Sequence, residues 1–431
     1  MNATRRVLVF AYYFPPLGLS GVQRIARFVK YLPDYGWAPT VVTARPAGYF
    51  AFDRELRREI DERGIAVHET RSADPTRVFA RGTVPFPSES RRKAFSYFSQ
   101  LVFVPDNKIG WASAAVTEGL RLHEETPFDA VLATAPPYTA LVAGKRFASQ
   151  ARLPLVCDFR DDWLGNPRHN YPTPLHRRRN ADLESEVVHA ASAVTVINRY
   201  IGASLTDRHA DIRNAVHVIP QGFDPDDFAH GLEPVRTSAR KGPCVFLHAG
   251  SFYDAQNPQS FAAALRSFVS SRPEKRGRVR AHFVGATPEA VKVVVDQYRL
   301  DDIVSIIPYV DHTTVCQMLL EADVLWMTVG RQPREEQVST GKLFEYFGTR
   351  KPVIGLVPPG AASEALEAYS AGFVCSPNDV PSIAALIERM ADLHSTGLLP
   401  VASPTEIEPY DRRLLAGELA TILSDVAGGA R

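Results

Sequence analysis

The chain has 431 residues, enough at roughly 100–200 per domain for two or three domains with cores of their own. Apolar residues make up 45% and charged residues 23%, and 49 Lys+Arg against 48 Asp+Glu leave a formal net charge of +1. These values exclude a polybasic nucleic-acid binder and an acidic disordered chain, and 27 Gly with 33 Pro are too few for a collagenous or low-complexity one. The balance hides a division. Residues 1–225 carry 29 Lys+Arg against 23 Asp+Glu, and the remainder 20 against 25. A basic half followed by an acidic half fits two domains, the first of which faces something anionic.

Cys157, Cys244, Cys316 and Cys375 lie far apart, with no CxxC spacing and no local histidine cluster, which argues against structural zinc and against a disulfide framework. Arg5 and Arg6 precede the apolar run Val7–Phe14, but the run is short and ends in Pro15-Pro16 without a cleavage site, so a first β-strand is expected and not a signal peptide. No apolar stretch approaches the roughly 20 residues of a membrane span. A soluble, cytoplasmic protein is expected.

Val7–Phe10 is continuously apolar, as in a strand buried on both faces. After a Pro/Gly/Ser loop, Gly21–Leu32 places Ile25, Phe28, Val29 and Leu32 on one side of a helix. Further strands are expected at Pro39–Thr43, Ala130–Ala133, Leu155–Cys157, Ala193–Ile197 and Val216–Ile219. Pro220–Arg240 is loop-like, and the alternation then restarts. Strands are expected at Val245–His248, Ala281–Val284, Val304–Ile307, Val324–Met327 and Pro352–Leu356, with helices over Gln259–Ser270, Pro288–Leu300, Asp311–Glu321, Gly341–Gly348, Ala362–Tyr369 and Pro381–His394. The pattern predicts an α/β protein with two Rossmann-like halves in tandem, each on a parallel sheet. The expected division is 1–222, a linker over 223–240, a second domain over 241–405, and residues 406–431 as a C-terminal helix returning to the first domain.

Ligands in such sheets collect at the carboxyl ends of the strands. After the first strand, Gly18, Ser20 and Gly21 lead into a helix that carries Arg24; small residues let backbone approach a ligand, and a helix N-terminus presents free N–H groups to an anion. A purely structural strand-to-helix turn is the alternative. In the second half, Ser339-Thr340-Gly341-Lys342-Leu343-Phe344-Glu345 opens a helix that could hold a phosphate beside the Lys342 charge, with Glu345 three residues on. An intrahelical Lys342–Glu345 ion pair is the alternative there. Asp158, Asp161 and Asp162, interleaved with Arg160, put three carboxylates within five residues after a first-half strand. They could supply a general base or orient hydroxyls, or could form a buried network.

These stretches resemble the retaining, nucleotide-sugar-dependent glycosyltransferases of the GT-B fold, in the broad family-four group. The resemblance rests on Pro15–Arg24, Ala135-Pro136-Pro137, Asp158–Trp163, Val218–Asp224, Ser339–Phe347 and Lys351-Pro352-Val353, in that order along the chain. It implies two Rossmann-like domains with a cleft between them, a nucleotide-sugar donor as co-substrate, and no metal. It implies that Glu345, matching the second glutamate of the family's Glu-x7-Glu pattern, holds the nucleotide ribose. Eight positions earlier stands Gln337, not Glu, with Glu335 and Glu336 out of register. The loop opening Gly250-Ser251 lacks the Arg and Lys that many relatives use on the diphosphate, so Lys342, the N-terminus at Thr340-Gly341-Lys342-Leu343 and Arg24 are expected in their place, with Arg331 or Arg334 as alternatives. The Asp158, Arg160, Asp161 and Asp162 cluster falls on the acceptor side.

The expected function is metal-independent, retaining transfer of a sugar from a UDP-sugar to a glycan, lipid-linked or small-molecule acceptor. The rivals are a nucleotide-sugar epimerase of the same fold and a catalytically silent glycosyltransferase-like subunit. Arg91, Arg92 and Lys93 next to Phe95, Tyr97 and Phe98, with a second basic cluster at Arg177-Arg178-Arg179, suit peripheral contact with a membrane's headgroup zone. No nucleic-acid partner is expected.

Overall fold

The computed structural model describes residues 4–429 apart from 19, 50, 76–81, 83–88, 167–168, 230–241, 253–255 and 286–287; at 20, 89–93 and 288 only the backbone is described. The chain forms two compact units, Met1–Pro220 with Arg412–Arg431, and Gln221–Asp411. The expected boundaries move accordingly. Of the expected linker 223–240, the described part to Ala229 belongs to the second unit, and the C-terminal helix begins at Arg412 instead of 406. Counted by unit, the charge split widens to 32 basic against 24 acidic residues in the first and 17 against 24 in the second.

The first unit is built on strands β1 (Arg5–Phe10), β2 (Trp37–Ala44), β3 (Ala66–Thr70), β4 (Ala130–Ala135), β5 (Leu155–Phe159), β6 (Ala193–Val196) and β7 (Val216–Val218). All pair in parallel, in the order β3-β2-β1-β4-β5-β6-β7. The second unit has β8 (Cys244–Ala249), β9 (Val279–Val284), β10 (Val304–Ile307), β11 (Val324–Thr328), β12 (Val353–Leu356) and β13 (Gly372–Cys375), also parallel, in the order β10-β9-β8-β11-β12-β13. In each sheet the order reverses beside the first strand, between β1 and β4 and between β8 and β11. Such a switch point opens a crevice at the strand C-termini, because the connections on its two sides depart in opposite directions.

The apolar run of β1 explains its central place. Leu8 and Phe10 enter one core layer, Val7 and Val9 the other, and all four are fully buried. The Val7 and Val9 layer is completed by the helix Arg412–Gly428, through Leu415, Leu419 and Leu423. Arg5 Nη1 donates to Ser424 O at 3.2 Å and Trp37 Nε1 to Ser424 Oγ at 3.2 Å, fixing that helix to the strands. Two edge strands escaped the sequence reading. β3 (Ala66–Thr70) is mostly polar and half wet and shows no apolar run, and β13, although apolar, is only four residues long with Val374 exposed.

Candidate functional site

In the first unit, the loop after β1 is held by pairing with the 51–53 stretch. Gly18 N donates to Ala51 O at 2.9 Å and Asp53 N to Pro16 O at 2.8 Å, and a Cβ at Gly18 would stand 3.4 Å from Ala51. Gly18 is therefore used for close packing, and Ser20 opens the helix Ser20–Tyr31. On that helix Arg24 is 2% exposed and turns inward. Its Nη2 donates to Asp158 Oδ1 at 2.9 Å and to Ile219 O at 3.0 Å, its Nε to Asp158 at 3.2 Å, and its Nη1 to Pro220 O at 2.7 Å. The guanidinium is committed inside the fold, which removes Arg24 from the groups that could grip a diphosphate.

Asp158 on β5 is fully buried. Besides Arg24 it accepts from Thr134 Oγ1 and Thr195 Oγ1, each at 2.8 Å, so both flanking strands donate to it. Burial alone would raise its pKa; the Arg24 charge and the four donors outweigh that and hold it below the usual carboxylate range. A carboxylate so enclosed serves as a structural anion, which corrects its expected place among the acid/base candidates. Arg160 is likewise structural: its Nε donates to Ala135 O at 3.2 Å and its two Nη groups to Gly21 O and Pro136 O. It holds the loop after β4 to the first helical turn after β1. Burial depresses its pKa. Asp162, 2% exposed, pairs with Arg208 Nη2 at 2.5 Å and accepts from Ser204 Oγ at 2.6 Å. Arg208 also bridges to buried Glu184 at 2.7 Å. Of the three clustered carboxylates, Asp161 alone is partly exposed.

The second unit arranges its charges differently. The helix Gly341–Gly348 follows β11, so its N-terminus lies at the β8/β11 switch point. Tyr346 pins it there: the buried hydroxyl accepts from Ala249 N at 2.8 Å and donates to Ala249 O at 3.2 Å, at the end of β8. Lys342 then lies across Gly250, whose φ is +133° and where a Cβ would come within 2.7 Å of the Lys342 Nζ. Only glycine accommodates both that backbone and that neighbour. Ser251 follows, half-buried, and Phe252 stacks on His248 at 4.3 Å.

His248 is fully buried. Its Nδ1 donates to Trp326 O at 3.1 Å, which leaves Nε2 as an acceptor for Lys342 Nζ at 3.4 Å. Burial first, and the Lys342 charge second, keep the imidazole neutral with a pKa well below its usual value. Burial also lowers the Lys342 pKa to about 8, against the opposing pull of Glu345. Glu345 is half-buried and makes no hydrogen bond or ion pair among the described residues, so the intrahelical Lys342–Glu345 pair is not formed. At the helix start, Thr340 Oγ1 is buried without a hydrogen-bond partner among the described residues, and Gly341 has open space where a side chain would be. Leu343 is fully buried core and its N–H already donates to Thr340 O at 3.2 Å, which removes it from the expected ligand-binding groups.

The preceding loop is occupied with itself. Glu335 accepts from Arg331 Nη1 at 2.9 Å and from Gln332 N at 2.9 Å, and Glu336 packs against Gly360. Neither out-of-register glutamate replaces Gln337, which ends the turn Glu335–Gln337 half-buried. Sequence reasoning missed His248 and Tyr346; a histidine near the end of the apolar strand Val-Phe-Leu-His-Ala was the available signal.

An ammonium over a glycine, an unpartnered hydroxyl, free N–H groups and an unpaired carboxylate, together at a switch point, suit an anionic ligand with hydroxyl groups. Residues 21–222 match the family described as Glycosyl transferase 4-like domain, and residues 243–392 the Glycosyl transferases group 1. No curated protein sequence matches the chain. Among solved structures, HepE of Anabaena, in complex with UDP and glucose, is 18% identical with a TM-score of 0.61, covering 98% of this chain and 100% of its own. A glycosyltransferase of Rickettsia africae is 15% identical with a TM-score of 0.63, covering 99% of each chain. Sucrose-phosphate synthase of Thermosynechococcus elongatus is 13% identical with a TM-score of 0.63, covering 99% of this chain and 100% of its own. Likeness at this level of identity speaks to the fold.

Proposed function

Since the chain belongs to the glycosyltransferases of the GT-B fold, we propose that it moves a sugar from a UDP-sugar to a hydroxyl acceptor, with retention of configuration and without a catalytic metal. The observation that carries this reading is Lys342 lying over Gly250 beside the open helix start at Thr340, with Glu345 unpaired on the same helix. The solved complexes of HepE with UDP and with UDP-glucose support the choice of nucleotide.

In this reading the diphosphate rests on the N–H groups of Thr340, Gly341 and Lys342 and on the Lys342 ammonium, and Glu345 accepts from the ribose hydroxyls. The bond from the sugar C1 to the diphosphate oxygen breaks, and its electron pair stays with the diphosphate. The acceptor oxygen bonds to C1 from the same face, and its proton passes to the departing phosphate oxygen. The protein's contribution is positioning, plus cationic and dipolar stabilisation of the charge that develops on the leaving group.

A lipid-linked acceptor is favoured by the first unit's surface. On the helix Glu89–Val102, Phe95, Phe98 and Val102 are exposed, Phe98 by 68%. His176 Nε2 bonds Leu101 O at 3.1 Å, which brings exposed Leu175 and the neighbouring Arg177, Arg178 and Arg179 to the end of that helix. Apolar side chains beside arginines suit an anionic bilayer surface. The side chains of Arg91, Arg92 and Lys93 lie outside the described residues. No helix among the described residues is long and apolar enough to cross a membrane.

The test is a panel of nucleotide sugars read by donor hydrolysis and melting temperature. UDP and one UDP-sugar should raise the melting temperature, turnover should survive EDTA, and Glu345→Gln should cripple it. Wild-type turnover in Glu345→Gln would remove that residue from the donor site, and a loss in EDTA restored by metal would overturn the metal-free mechanism.

A further inference from the structure

Among side chains given no role above, Asp227, His312 and Cys316 bring a carboxylate, an imidazole and a thiol together in the second unit, with all donor atoms within 4.8 Å of one another. His312 and Cys316 stand four residues apart on the helix His312–Glu321 and so project from one face, one turn apart. The helix start is fixed by Asp311, which accepts from Thr314 N at 2.8 Å. Asp227 comes from the turn Pro225–Phe228, held by Asp224 accepting from Asp226 N at 3.0 Å and by the buried ring of Phe228. Three donors of different chemistry are thus delivered by two independently capped segments.

The two separations from His312 lie near those around a tetrahedral ion. Zinc bonds of about 2.0–2.1 Å to N and O and 2.3 Å to S place N and O about 3.3 Å apart, and N and S about 3.5 Å apart. Here His312 Nε2 lies 3.0 Å from Asp227 Oδ2 and 3.5 Å from Cys316 Sγ. Cys316 is 4% exposed, while His312 and Asp227 keep partial access to solvent, which gives an ion a way in. A mixed N, S and O set selects a borderline-soft divalent ion over magnesium or calcium, whose preferred ligands are oxygens.

We propose that Asp227, His312 and Cys316 bind one divalent transition-metal ion of the zinc class, with water at the fourth position, clamping the 225–228 turn to the His312–Glu321 helix. On binding, the Cys316 thiol gives its proton to solvent and the thiolate takes the metal. The ion would tie the turn to the helix, and no step of the proposed transfer is routed through it. A purely ionic His312–Asp227 contact with the thiol alongside is the competing arrangement, and it holds no ion.

The experiment uses the full chain, without a polyhistidine tag, titrated with Co2+ and Zn2+ and followed by calorimetry and absorption. One Co2+ per chain should bind with a thiolate-to-cobalt charge-transfer band, and Zn2+ should displace it and raise the melting temperature. Cys316→Ser should abolish the band, and His312→Gln should weaken binding by more than about 100-fold, beyond the cost of losing an outer-shell partner. Cys375→Ser, changing the one cysteine that is not buried, should keep the band. Circular dichroism and melting of the metal-free variants establish that they fold. No binding by the folded wild type, or a band that persists in folded Cys316→Ser, overturns the proposal.

Discussion

The two units place charge beside the switch point of the same kind of sheet, after its leading strand in the first and after the strand across the switch in the second, and use it in opposite ways. In the first, Arg24 stands on the helix after the leading strand and meets Asp158, which also accepts from a threonine on each neighbouring strand; the guanidinium's remaining donors go to the carbonyls of Ile219 and Pro220. In the second, Lys342 stands at the switch point with only a neutral histidine within bonding reach among the described residues, and Glu345 one turn further on is unpaired. A buried ion whose partners are complete holds the architecture together. One whose partners are incomplete retains a free energy of interaction that a ligand can supply. Closure of the partner set, more than residue type, separates the two roles.

Breaking the closed set should have the largest effect. Asp158→Ala leaves Arg24 buried and uncompensated, and a loss of about 3–5 kcal/mol is expected in denaturant unfolding of the first unit. Arg24→Met combined with Asp158→Leu should recover part of it, because both charges then leave together. Breaking the open set should not destabilise the free protein, because burial works against the Lys342 charge there. Lys342→Ala is expected to weaken UDP binding by about 1.5–3 kcal/mol, the usual worth of a hydrogen bond to a charged group. Calorimetry on both variants tests whether stability and affinity divide between the units in this way.

A smaller effect follows from pH. The Lys342 pKa is lowered to about 8, so UDP affinity should fall as pH rises through that value and the ammonium is lost. Stability of the free protein should move the opposite way. Between about 8 and the ordinary lysine value near 10.4 the unfolded chain binds more protons than the folded one, so unfolding becomes harder as pH rises. Smallest of all, Phe98→Ser should leave both stability and UDP affinity intact and reduce co-sedimentation with anionic vesicles. Unchanged vesicle binding would remove this helix from the proposed membrane contact.

The strands that carry both sites were legible in the sequence because each is apolar over its length and buried on both faces, as Val7–Phe10 and Val324–Met327 are. Two edge strands, Ala66–Thr70 and Gly372–Cys375, were not, the first because it is mostly polar and the second because it is only four residues long. For the candidate sites the limit was partnership across distance. The motif around Lys342 and Glu345 is local and could be read, whereas Arg24 and Asp158 are 134 positions apart and nothing in either segment announces the pair. Three carboxylates in five residues suggested chemistry, and two of them proved to be structural anions. Asp227, His312 and Cys316 were invisible for the same reason, because the turn and the helix that bring them together are separated by the whole of three strands.

The course of the chain has a consequence for how the molecule is made. The second unit is an insertion: its two ends meet where Phe223 N donates to Tyr410 O at 3.0 Å, and the chain then returns to supply Leu415, Leu419 and Leu423 to the β1 face of the first unit. On the ribosome, the inserted unit has its whole sequence available once residue 411 has emerged. The first unit, although synthesised first, still lacks one wall of its core at that moment. Completion of the first core therefore follows synthesis of the whole second unit, and a chain cut just before Arg412 keeps every residue of the second unit while lacking one wall of the first.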